Sequence, residues 1–163
     1  MEFEIATADE LTLQDIELTE LLNQAYVDAG YTNREEALTL FAPDNVRRRG
    51  MLLVAREKET SLLAGMAILV PFDSPACRRA GPNEAELHLL AVAEKFRGCG
   101  LGRMLVETVI TKAKQFGYAK LLLWTQPSMT IAQKLYAATG FTQVGSFENN
   151  GRQYKLYELS LSE

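Results

Sequence analysis

The stretch Arg97-Gly98-Cys99-Gly100-Leu101-Gly102 decides how this chain is read. Three of its last five residues are glycine. The backbone can therefore turn tightly there, with no Cβ to hold a ligand away. An apolar, strand-like run (85–92) precedes the stretch and an amphipathic run (101–116) follows it. A helix beginning at that point offers unpaired N–H groups and the positive end of its dipole. Strand, glycine turn and helix N-terminus together form a receptor for a diphosphate.

Two better-known glycine loops do not fit. A dinucleotide fingerprint needs G-x-G-x-x-G, but the third position is Arg103 counted from Gly98 and Leu105 counted from Gly100. A Walker A string, G-x-x-x-x-G-K-[ST], does not occur. What remains is R-x-x-G-x-G, carried by Arg97, Gly100 and Gly102.

The strand before the loop alternates. Ala85, Leu87, Leu89 and Ala91 are apolar, which predicts one core face, and Glu86 and His88 lie side by side on the other. The helix over 101–116 has apolar positions at 101, 104, 105, 109, 113 and 116, and Gly117 stops it. Residues 120–125 form a strand whose four central residues, Leu121 to Trp124, are continuously apolar, as in a strand covered on both faces. Trp124 in that run reads as core.

Farther out, 3–7 reads as a short strand and 13–29 as a helix closed by Gly30. A shorter helix, capped by Thr32 or Asn33, runs to about Phe41 and is ended by Pro43. Residues 51–56 and 62–70 read as a hairpin and 71–83 as a loop. Residues 129–139 read as a helix with a capping box from Thr130 to Gln133. Residues 142–148 and 152–161 read as strands joined by Asn149-Asn150-Gly151, a strong hairpin signal. The order β-α-α-β-β-β-α-β-α-β-β predicts an α/β (α+β) fold around one central sheet.

With 163 residues, 47% of them hydrophobic, the chain is expected to form a single domain over 1–163. A net charge of −4 argues against a general nucleic-acid binder. No run is long enough to span a membrane, and the acidic N-terminus has no apolar signal core, so a cytoplasmic address is expected. Cys77, Cys99 and His88 form no zinc-ligand spacing, and no metal is expected. Cys99 reads as loop filler, and Arg47-Arg48-Arg49 as a solvated face, with attraction of an acidic substrate as the alternative.

Arg97-x-x-Gly100-x-Gly102 resembles the pyrophosphate loop of the GCN5-related N-acetyltransferases (GNAT family). Leu90-Ala91-Val92 resembles that family's L-x-V strand. Ala132, Leu135-Tyr136 and Gly140-Phe141 resemble its A-x-x-L-Y-x-x-x-G-F segment. The likeness is close over roughly 84–145. One position departs: many members carry Asn where Met129 stands.

The resemblance implies a GNAT-type acyl-CoA N-acyltransferase fold, with a mixed, largely antiparallel sheet flanked by helices. It also implies acetyl-CoA as co-substrate. Main-chain groups of Gly98, Cys99, Gly100, Leu101, Gly102 and Arg103 would hold the diphosphate. Arg97 would add charge, as would Arg103 unless it is only a solvated helix residue. The strand edge at Leu90, Ala91 and Val92 would take the pantetheine arm.

The acceptor would be an amine, on a small molecule or on a peptide or protein. An amine is mostly protonated at neutral pH, so attack calls for a base or a water relay. Glu86 is the first candidate and His88 the second, although either can equally be structural. Tyr136 resembles the family's general acid, unless it serves packing alone. A homodimer through the last hairpin follows by analogy only. The rival readings are a non-catalytic acyl-CoA sensor and an enzyme for a longer acyl-CoA.

Overall fold

The computed structural model describes residues 1–161. Seven strands form one sheet in the order β1-β2-β3-β4-β5-β7-β6. They are β1 (Phe3–Thr7), β2 (Met51–Glu57), β3 (Leu63–Pro71), β4 (Glu84–Val92), β5 (Lys120–Thr125), β6 (Thr142–Asn149) and β7 (Arg152–Ser160). The β4–β5 pair is parallel and the other neighbours are antiparallel. The helices are α1 (Asp15–Leu22), α2 (Arg34–Leu40), α3 (Pro43–Arg47), α4 (Leu101–Gln115) and α5 (Thr130–Ala138). This is the mixed α/β fold the sequence predicts, with one additional short helix.

Each face of the sheet carries its own core. On one face α4 packs Leu101, Leu105, Val106, Val109 and Ala113 against Leu53, Ala67, Leu87, Leu121 and Leu123. The stripe is narrower than expected, since Met104 and Phe116 are exposed. On the other face α1 to α3 bring Leu18, Leu22, Ala37 and Val46 onto Val54, Met66, Ile68 and Val70. β5 buries Leu121, Leu122 and Leu123, as its apolar run requires.

Several local expectations are corrected. The helix expected over 13–29 is α-helical only to Leu22 and continues as a π-helical turn over Asn23–Val27. Pro43 does not merely end a helix. It starts α3, where a missing N–H costs nothing and the fixed φ fits. The Thr130–Gln133 capping box does not form. Met129 is the N-cap, and the Gln133 amide instead donates to Gln126 and Pro127 carbonyls at 3.0 and 3.2 Å. Asn33 does cap α2, accepting from the Glu36 amide at 2.8 Å. Asn150 and Gly151 both have positive φ (51° and 78°), which gives the tight β6–β7 turn its right-handed twist.

The largest correction lies in β4. Ile68 faces His88 but Met66 faces Ala91, so β4 carries one residue more than β3 over that span. Leu89 takes up the excess with φ of 51°, a left-handed conformation rare for leucine. The bulge inverts the alternation. Ala85 and Leu87 pack toward α4, and after the bulge so do Leu90 and Val92. Leu89 and Ala91 turn to the face of Glu86 and His88. The four odd positions therefore do not share one face.

Candidate active site

The glycine loop hands β4 over to α4. Gly98 and Gly100 sit at φ of 79° and 84°, and a Cβ on either would meet nothing within 4 Å. Glycine is required there by backbone conformation, not by crowding. Gly100 is the N-cap of α4, and the first helical bond runs from the Met104 amide to the Gly100 carbonyl at 3.1 Å. The amides of Leu101, Gly102 and Arg103 precede that bond and have no intrahelical partner. Gly102 is a different case. A Cβ there would lie 3.2 Å from Leu135 Cδ2 and 3.8 Å from Val92, so α4, α5 and β4 meet at this residue.

β4 and β5 separate beside the loop. Their pairing runs from Glu84↔Lys120 to Glu86↔Leu122 and stops, although both strands continue. Side chains reach the uncovered edge. Tyr26, on the π-helical turn, donates to the Leu90 carbonyl at 2.8 Å, and Arg97 Nε donates to the Val92 carbonyl at 3.1 Å. Arg103 pairs with Glu107 one helical turn on, at 2.7 Å. Cys99 Sγ donates to the Phe96 carbonyl at 2.8 Å.

Tyr136 projects from α5, edge-on to Phe141 (5.8 Å) and beside Tyr157 (6.4 Å). Among the described residues its hydroxyl has no hydrogen-bond partner, and no buried side-chain polar atom is left without one. The hydroxyl therefore opens onto solvent-accessible space while the ring is packed. Burial, with a smaller effect of Tyr26, pushes its pKa well above the usual tyrosine value.

Glu86 and His88 are adjacent on one face, as expected, but they are turned toward each other. Arg49 Nη1 stands 3.0 Å from His88 Nδ1. A guanidinium can only donate, so Nδ1 accepts and the imidazole proton sits on Nε2. That proton is given to Glu86 Oε1 at 2.7 Å. Burial foremost, with Arg49 adding to it against the pull of Glu86, lowers the His88 pKa and holds the ring neutral.

The Glu86 carboxylate also accepts from the amides of Arg78 (3.0 Å), Arg79 and Ala80 (2.7 Å), and from Cys77 Sγ at 3.5 Å. Burial alone would raise its pKa. The bonds from His88, Arg79 and Ala80 outweigh that and bring it down to about 2. The 72–83 loop is thus folded around an internal carboxylate.

An aromatic row continues from His88. The Trp124 ring meets His88 edge-on at 5.3 Å and Phe147 at 6.0 Å, and Phe147 stacks on Tyr154 at 5.2 Å. Arg79 lies over Phe147 at 3.7 Å. Trp124 is half-buried on this surface, not core. The Arg47–Arg49 run is not one solvated face either. Arg47 pairs with Asp15 at 3.0 Å, Arg48 bonds locally to Asn45, and Arg49 turns inward. Tyr26, Arg49, Arg78, Arg79 and Phe147 were not among the residues the sequence singled out for the site. Their partners lie in other elements, where no spacing signal reaches.

The model of the acetyltransferase (GNAT) family matches residues 16–141. The chain belongs to the GNAT family. An uncharacterized N-acetyltransferase of Schizosaccharomyces pombe is 28% identical over 142 residues, covering 84% of this chain and 82% of its own. N-acetyltransferase 8 of Homo sapiens is 31% identical over 97 residues, which is 60% of this chain but only 41% of the human protein. Among solved structures, a GNAT acetyltransferase from Staphylococcus aureus Mu50 superposes with a TM-score of 0.78, at 18% identity, over 99% of this chain and 100% of its own. A Bacillus subtilis acetyltransferase in complex with CoA gives a TM-score of 0.70, at 23% identity, over 98% and 99% of the two chains. The separated β4–β5 pair and the glycine loop thus sit in a GNAT fold. Among the described residues, no helix is long and apolar enough to cross a membrane.

Proposed function

We propose that this chain, with 1–163 acting as one domain, transfers an acetyl group from acetyl-CoA to a primary amine by direct attack in a ternary complex. The observation that carries the reading is the left-handed Gly98–Gly100 turn, which opens the N-terminus of α4 beside the point where β4 parts from β5. Main-chain amides of Gly98 to Arg103 hold the diphosphate there. The α4 dipole adds a favourable field. A further support is that the Bacillus subtilis protein of the same fold is a CoA complex.

The pantetheine arm lies along Leu90, Ala91 and Val92. A strand residue points its N–H and C=O to the same side. The edge that offers its Leu90 and Val92 carbonyls to Tyr26 and Arg97 therefore also offers amide donors. One of these polarises the thioester carbonyl as negative charge develops on oxygen.

The neutral amine attacks the carbonyl carbon, and the C–S bond of the resulting intermediate breaks. The departing thiolate takes a proton from the Tyr136 hydroxyl, which is protonated at neutral pH and regains its proton through water. Glu86 and His88 act as positioning residues. A carboxylate near pKa 2 draws protons too weakly to deprotonate an ammonium, and both imidazole nitrogens are engaged. The amine proton leaves through water.

The test is free-thiol release from acetyl-CoA across a panel of amines. Thiol released only when an amine is present, with acetylated amine recovered, supports transfer. Coenzyme binding with no release across a broad panel overturns it in favour of a sensor. Faster release from succinyl- or propionyl-CoA overturns the acetyl preference.

A further inference from the structure

β4 leaves β5 in steps. Glu86 and Leu122 are the last residues of the two strands to pair. Two residues on, His88 and Trp124 meet only through their rings, edge-on at 5.3 Å. Two residues farther, at Leu90 and Gln126, a third segment bridges the gap. Gln126 Nε2 donates to the Tyr31 carbonyl at 2.9 Å, the Tyr31 amide to the Tyr26 carbonyl at 2.9 Å, and the Tyr26 hydroxyl to the Leu90 carbonyl at 2.8 Å. Hydrogen bonds thus run in series from the end of β5 to the open edge of β4.

The bridge is built on the π-helical turn Asn23–Val27. Its wider bonds run from the Asp28 amide to the Asn23 carbonyl at 2.8 Å and from Tyr31 back to Tyr26. Gln24 of the same turn accepts from the Glu94 amide, just past β4, at 2.8 Å. The Tyr26 ring rests on the buried Phe41 ring, with centroids 5.6 Å apart. Backbone, neighbour and ring together aim the Tyr26 hydroxyl at β4.

Leu90 is half of the bulge. Leu89 and Leu90 together stand opposite Ala67, and Leu89 holds a φ of 51°. Such a conformation costs energy in leucine and persists only where the surroundings over-determine it. β5 has already parted from β4 at this level, so the Leu90 carbonyl takes its hydrogen bond from a side chain instead. Holding that oxygen fixes the peptide plane between Leu90 and Ala91, and with it the course of the edge from Leu90 to Val92. A carbonyl oxygen has two lone pairs, so one acceptor position stays open beside Tyr26.

We propose that Tyr26 is a positioning residue for acyl transfer, its hydroxyl holding the bulged edge of β4 at the angle that receives the thioester. This rests on the transfer reading and adds a residue to the same site. Tyr26 moves no proton in the reaction, because its O–H is committed to Leu90. An edge displaced by a fraction of an ångström leaves the grip on the diphosphate at the glycine loop intact. It presents the thioester carbonyl off line to its donor and to the attacking amine. The loss therefore falls on kcat and not on coenzyme affinity.

Tyr26→Phe tests this, since it keeps the ring on Phe41 and the main-chain bonds at the Tyr26 carbonyl and removes only the hydroxyl. Thiol release is followed with acetyl-CoA and the amine of the panel that releases most thiol. The kcat is expected to fall about tenfold or more, with KM for acetyl-CoA changed by less than about twofold. The melting temperature is expected to fall by no more than about 4 °C. Amide exchange gives a readout that needs no turnover. The amides of Ala91 and Ala93, on the β3 side of β4, are expected to exchange about tenfold faster while those of α4 stay unchanged. An unchanged kcat, or unchanged exchange at Ala91 and Ala93, overturns the proposal and leaves the transfer reading standing. A fall in kcat matched by a rise in KM and by faster exchange throughout is general loosening and overturns it as well. No thiol release from either protein overturns the transfer reading and this role with it.

Discussion

His88 Nε2 and Glu86 Oε1 stand 2.7 Å apart on β4, with only 6% and 0% of the two residues exposed. One contact fixes an imidazole tautomer, an ionised carboxylate and, through that carboxylate, the path of the 72–83 loop. Two groups of the kind expected to act as bases are thus turned onto each other and onto the loop amides.

The pair makes stability sensitive to acid. Glu86 has its pKa depressed to about 2 from an ordinary value near 4.5. Its contribution, about 3 kcal/mol at neutral pH, is present above the unfolded pKa and is lost as pH falls toward 2. His88 acts in the same direction. Its lowered pKa means that below about 6.5 the unfolded chain takes up a proton that the folded ring refuses. Glu86→Gln is expected to lower stability by about 3 kcal/mol at pH 7 and to make the acid limb shallower. Urea midpoints measured between pH 7 and 3 check this. An unchanged midpoint at pH 7 would remove the loop-anchoring role.

The glycine loop and α4 are legible in the sequence because their signals are local. Left-handed turns need glycine, and the helical stripe at 101, 105, 109 and 113 survives into the core. The course of β4 past His88 is not legible. Leu89-Leu90-Ala91-Val92 are all apolar, so alternation carries no parity there and cannot reveal the bulge. Arg49 was equally hidden. It follows one arginine held by Asp15 and one that faces solvent, and what draws it inward is His88, 39 positions later. Glu86 could be placed on a face, but its ligands are loop amides, which have no signature in side-chain identity. Pro43 shows the same ambiguity in small, since the residue that ends one helix begins another.

Tyr136→Phe separates chemistry from packing. The ring keeps its contacts with Phe141 and Tyr157, and the lost hydroxyl has no partner among the described residues. Stability is expected to change by less than about 0.5 kcal/mol. The kcat is expected to fall about 10²-fold, with KM for acetyl-CoA nearly unchanged. Steady-state kinetics beside a thermal melt provide the check. An unaltered kcat would reduce Tyr136 to a core residue.

Gly65 on β3 is closed to any side chain. A Cβ there would lie 2.9 Å from the Ala91 carbonyl oxygen and 2.9 Å from Leu105 Cδ1. Leu105 can shift, but the β4 backbone beside its bulge cannot do so cheaply. Gly65→Ala is expected to cost about 1–3 kcal/mol and to weaken acetyl-CoA binding by displacing the Ala91 edge. Denaturation and calorimetric titration of the coenzyme together test this. Full stability with wild-type affinity would show that the edge is more pliable than its contacts imply.

Gly100 and Gly102 are expected to fail in opposite ways. Gly102→Val drives a branched side chain into Leu135 and is expected to cost about 1–3 kcal/mol of stability. At Gly100 there is open space, and aspartate tolerates positive φ better than most residues. Its carboxylate would lie beside the positive end of the α4 dipole, where a negative charge is favoured. Gly100→Asp is therefore expected to keep the melting temperature within a few degrees. It fills the proposed diphosphate site with a tethered anion of the same charge sign. The wild type at 100 times Kd of coenzyme should gain about 2.7 kcal/mol. In Gly100→Asp that gain should vanish. If coenzyme still protects the variant, the diphosphate is held somewhere other than the start of α4.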